Sequence, residues 1–113
     1  MMSFTLENLE HVSIITVENE KLNFENAPNL KTQIIQSANE DQFSPLIIDL
    51  KNVTFADSSG LSALLLAQRT YRDSDRPFVI CCVGERVMKL LEISHQHTVF
   101  QIADNRVVAL SLV

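Results

Sequence analysis

Residues 55–66 read FADSSGLSALLL. A polar knot, Asp57-Ser58-Ser59-Gly60, separates the apolar run PLIIDL at 45–50 from a run whose leucines recur at helical spacing. A short aliphatic run reads as a buried strand, and a 3.6-residue stripe reads as a helix packed on a core. The knot is therefore the junction at which a strand gives way to a helix. Asp57 suits the N-cap, where a carboxylate accepts bonds from free first-turn amides and meets the positive end of the helix dipole. Ser58 and Ser59 then take the first two helical positions. With Asp57 as the cap, the Ser58 hydroxyl is free to face another protein, and Gly60 is expected to let a foreign backbone come close. The plainer reading of the same four residues is a helix start and nothing more.

Working outward, the residues at 4–7 and 12–17 read as two strands, with ENLEH as the hairpin turn between them. Asn26-Ala27-Pro28 marks a second helix start, with an acceptor at the cap and proline in the first turn, where no amide donor is needed. Leu30, Ile34, Ile35 and Ala38 share one face of that helix. After the knot, Leu61, Leu64, Leu65 and Gln68 form a stripe, and Arg69 and Arg72 fall in the last turns. FVICCV at 78–83 reads as another buried strand, and Gly84 leads into a helix with Val87, Leu90 and Leu91 inward. HTVFQI resembles a last strand, and a terminal helix starts near Asp104. The order is ββαβαβαβα in one domain over residues 1–113. Strands that alternate with helices need crossovers, which implies an α/β domain with a mixed sheet and helices packed against it.

Composition excludes several functions. The 113 residues carry 9 basic and 14 acidic side chains, a formal charge of −5, which disfavours direct nucleic-acid binding and charge-driven membrane docking. No stretch approaches the ~20 apolar residues that span a bilayer, and MMSFTLENLEH has no basic start, so the cytoplasm is the expected location. Cys81 and Cys82 are neighbours, and adjacent strand residues point to opposite faces, so they read as reduced structural thiols. Asp49 ends a strand, as a phospho-acceptor would, but no early acidic pair or following lysine accompanies it. No G-x-S-x-G elbow or P-loop is present. His95 and His97 lack a third ligand at metal spacing. No catalytic residue, metal or cofactor is assigned.

LIIDLKNVTFADSSGLSALLLAQR closely resembles the signature of STAS domains, and in particular of bacterial anti-sigma factor antagonists. The matching elements are Asp49-Leu50, Phe55, the run Asp57 to Leu61 and the helix to about Arg72. LNFENAPNLKTQI and VGERVMKLLEIS extend the likeness over nearly the whole chain. The resemblance implies a binding protein and not an enzyme, phosphorylated at Ser58 beside Asp57. It implies a GHKL-type serine kinase that doubles as the anti-sigma factor, and a PPM-type phosphatase that restores the hydroxyl. Unmodified, such a protein sequesters the anti-sigma factor and frees a sigma factor. Asp57, Ser58, Ser59 and Gly60 would centre the docking face, flanked by Ser62, Asn23 and Asn26. The early loop departs from the family pattern: Glu20 stands near its usual glycine and Asn23 near its usual aspartate, which implies slower phosphorylation or a different partner. The alternative is an unphosphorylated STAS adaptor in a larger signalling or lipid-transport complex. Retention of Ser58 favours the switch.

Overall fold

At the centre of the molecule Ile47, Ile48, Val79 and Ile80 are wholly shielded from water. Each such side chain contributes about 1.5–3 kcal/mol on burial. The computed structural model describes residues 3–113. The elements run β1 (Phe4–Leu9), β2 (Val12–Val17), β3 (Lys21–Leu22), α1 (Ala27–Glu40), β4 (Leu46–Asp49) and β5 (Phe55–Ala56). They continue with α2 (Ser58–Asp73), β6 (Phe78–Cys81), α3 (Glu85–Ile93), β7 (Gln101–Ala103) and α4 (Arg106–Ser111).

Five strands form one mixed sheet in the order β1-β2-β4-β6-β7. β1 and β2 are antiparallel, with Phe4 opposite Val17 and Leu9 opposite Val12. The other pairs are parallel. The hairpin closes through Glu10 and His11, both at positive φ (46° and 73°), as a two-residue turn matched to strand twist requires. Alternation along the strands divides the core. Leu46, Ile48 and Ile80 face Leu30 and Ile34 of α1, Leu64 and Tyr71 of α2, and Leu91 of α3. Ile14, Ile47 and Val79 face the other way, against Ala109 of α4.

One cation ties the two ends of the chain to the middle. The Arg106 guanidinium donates to Asp49 Oδ2 (3.1 Å), Glu7 Oε1 (2.8 Å) and Thr16 Oγ1 (3.0 Å). Its hydrogen bond holds the Glu7 carboxyl below its ordinary pKa. The second oxygen of Asp49 accepts from Lys51 N at 2.9 Å. Asp49 is thus the satisfied acid its setting implies, bonded to a local amide and also to a cation 57 positions away.

Four expectations need correction. A second, two-stranded parallel sheet, β3-β5, joins the early loop to the knot; strands of two residues carry no periodicity to read. FVICCV is a strand only to Cys81, because Cys82 adopts a left-handed φ of 59°. HTVFQI contributes only its end to β7: Phe100 leaves the strand path to pack edge-on against Phe78, centroids 6.4 Å apart. Ile35 is 40% exposed, since the buried arc of α1 comprises Ala27, Leu30, Ile34 and Ala38.

Candidate functional site

Beyond Asp49 the chain crosses to β5, which lies parallel to β3 with Leu22 beside Ala56. This pairing seats the knot on the early loop. Asp57 N donates to Leu22 O (3.2 Å), and the Asp57 carbonyl accepts the first α2 bond, from Leu61 N (3.0 Å). The Asp57 carboxylate then works in two directions. Oδ1 accepts from Gly60 N at 3.0 Å, which is the cap expected from the sequence. Oδ2 accepts from Phe24 N at 3.1 Å, across 33 positions of sequence. Cap and loop tether are one side chain.

Ser58 is the first residue of α2 and is exposed. Among the described residues its hydroxyl makes no hydrogen bond. Ser59 is half-buried, and Ser62, one turn on, is exposed. Asp57, Ser58, Ser59 and Ser62 therefore come together on one accessible surface.

Gly60 does not serve the purpose read into it. It is buried, and a Cβ there would run into the Leu22 carbonyl oxygen and stand 2.9 Å from Leu22 Cγ. The glycine admits the chain's own β3, not a foreign backbone.

Asn26 also departs from expectation. It occupies the N-cap of α1, but its side chain makes no cap bond. At 7% exposure it turns back into the loop, where Oδ1 accepts from Asn23 N (2.9 Å) and Nδ2 donates to Lys21 O (2.7 Å). Both ends of its amide are committed to the backbone of the loop. Asn23 stays half-exposed beside the knot. Its Oδ1 accepts from Glu25 N (3.1 Å), and its carbonyl receives Asn26 N (3.1 Å) and Ala27 N (2.8 Å).

Two further residues were not singled out in the sequence. Phe24 (67% exposed) and Lys31 line a depression of about 230 Å³ together with Ser58, Ser59 and Ser62. Phe55, two positions before Asp57, is 41% exposed. An aromatic in the polar run NFEN is the one local signal that could have marked Phe24. Lys31 reaches the depression only because α1 lies against α2, which sequence spacing does not reveal.

With this geometry in hand, similarity to known proteins is informative. A family model described as "STAS domain" matches residues 3–109. The chain belongs to the STAS domain family. Its α/β architecture, a mixed sheet with helices, is that of the family. An anti-sigma F factor antagonist of Paenibacillus polymyxa is 26% identical over 111 residues, covering 97% of this chain and 95% of that protein. Among solved structures, an anti-sigma-factor antagonist STAS domain protein of Planctomyces limnophilus superposes with a TM-score of 0.87 at 18% identity, over 96% of this chain and 95% of that one. The anti-sigma factor antagonist SpoIIAA in its unphosphorylated form gives 0.75 at 17% identity, over 90% and 89%. No helix of the described STAS domain is long and apolar enough to cross a membrane.

Proposed function

We propose that this STAS domain is an anti-sigma factor antagonist whose Ser58 hydroxyl is a phosphorylation switch. In the unmodified state the knot binds an anti-sigma factor that is also a GHKL-type serine kinase, and a sigma factor is released in the cytoplasm. Phosphate on Ser58 ends that contact, and a PPM-type phosphatase restores it. The observation that carries the reading is the division of labour at the knot. Asp57 fills the cap, which leaves an exposed hydroxyl with no structural duty. The 26% identical relative bears the name of such an antagonist.

The physics of the switch is electrostatic. Phosphoserine adds about −1.5 to −2 charges at neutral pH. Helix amides and dipole tolerate an anion at this end, so the fold need not change. A partner surface fitted to a neutral hydroxyl would meet a hydrated dianion on a chain that already carries −5. Phe24 and Phe55 supply exposed aromatic area near the knot, and aromatic side chains dominate interface energetics. Chemistry is left to the kinase and phosphatase.

The test uses the purified kinase, ATP and the intact protein. Mass spectrometry should place the phosphate on Ser58. Ser58→Glu should lower affinity for the kinase at least 100-fold, about 2.7 kcal/mol, with its circular dichroism unchanged. Labelling elsewhere would overturn the site. A partner of scaffold or ABC-ATPase type that binds Ser58→Glu as well as wild type would replace the switch with an adaptor.

A further inference from the structure

The carboxyl ends of β4 and β6 gather three donor atoms that the docking face does not use. One carboxylate oxygen of Asp49 and the sulfurs of Cys81 and Cys82 all lie within 4.8 Å of one another. Two backbone features bring them together. Parallel pairing sets Asp49 opposite Cys81, so both side chains emerge on the α4 face of the sheet. Cys82 then leaves the strand at φ 59°, which turns its sulfur toward Cys81 instead of the opposite face. The expectation that the two thiols diverge fails for that reason.

We propose that Asp49, Cys81 and Cys82 form a binding site for a thiophilic divalent cation of the zinc or cadmium kind. Two thiolates and one carboxylate suit such ions and not magnesium or calcium, which prefer all-oxygen surroundings. Tetrahedral binding, with bonds of about 2.3 Å to sulfur and about 2.1 Å to oxygen, places donors about 3.6–3.8 Å apart. That spacing lies inside the observed limit of 4.8 Å. Three protein donors leave one position open for water or for a group from a partner.

The charge balance favours exchange. Two metal–sulfur bonds and one metal–oxygen bond form, two S–H bonds break, and both protons pass to solvent. Two positive charges enter and two leave, so the net charge of this buried corner is unchanged. The desolvation cost that bars an uncompensated dication from a protein interior is thereby limited. Arg106 and the Lys51 amide keep their hydrogen bonds to Asp49, since each carboxylate oxygen has a second lone pair for the ion. Cys82, the half-buried member, provides the route of entry.

The test is a titration of the reduced full chain with Cd²⁺, followed by the near-ultraviolet charge-transfer band that cysteinyl sulfur gives and histidine does not. The band should saturate at one ion per chain, and excess Zn²⁺ should displace it. Cys82→Ser should abolish it with circular dichroism unchanged. Asp49→Asn should bind at least tenfold more weakly; if that variant does not fold, Cys82→Ser carries the test. Uptake without the band, as the exposed His95 and His97 would give, overturns the proposal. So does a band at full affinity in Cys82→Ser or in a folded Asp49→Asn. Neither result bears on Ser58, which no part of this site touches.

Discussion

α1 and α2 begin alike in sequence, each after a residue of the type that caps helices, yet the two caps behave in opposite ways. Asp57 stays half-exposed, closes its own helix and reaches out to the loop through Phe24 N. Asn26 sinks to 7% exposure, leaves its helix uncapped by its side chain, and binds the loop from inside. The backbone carbonyl of Asn23 supplies partners for the amides of Asn26 and Ala27. The lesson is that a cap-type residue announces a helix start but does not say which partner its side chain will take. That choice depends on what tertiary contact lies within reach.

Four substitutions would break or sharpen this contrast, in decreasing order of expected effect. Gly60→Ala strikes the close approach of α2 to the carbonyl of Leu22, and backbone cannot yield as a flexible side chain can. We expect a loss of about 3 kcal/mol in urea unfolding. A loss below about 1 kcal/mol would show that β3 and α2 are not in close approach. Asn26→Ala strands Asn23 N and Lys21 O in a shielded setting. It should cost about 2 kcal/mol, and a near-neutral result would mean that water serves those groups equally well. Asp57→Ala removes a half-buried cap and should cost about 1 kcal/mol, less than Asn26→Ala because the Phe24 amide it abandons is exposed and can be hydrated. Inversion of that order would refute the contrast. Ser58→Ala should shift stability by no more than about 0.5 kcal/mol while binding to the kinase persists. A larger shift would give the hydroxyl a structural duty.

Local chemistry was legible in the chain. The hairpin, the cap at Asp57, the start of α2 at Ser58 and the buried runs in β4 and β6 all rest on signals a few residues long. What escaped depends on remote neighbours. Asn26 and Gly60 owe their roles to Lys21 and Leu22, held in place by a strand pair too short to leave a pattern. Arg106 meets Asp49 and Glu7 across most of the chain, so no local window joins them. Lys31 enters the depression at Ser58 only through helix packing. Cys82 defeated the alternation rule because its own left-handed backbone ends the strand at Cys81.

The fastening of the early loop to α2 through Asp57 has a wider consequence. The knot is moored on both sides, so sequence variation has little freedom there and more at the rim, where Phe24 and Lys31 meet solvent or line the depression without supporting the backbone. Where one cell carries several domains of this type, insulation between parallel circuits would have to be written in those rim residues. The mark itself would be a common currency.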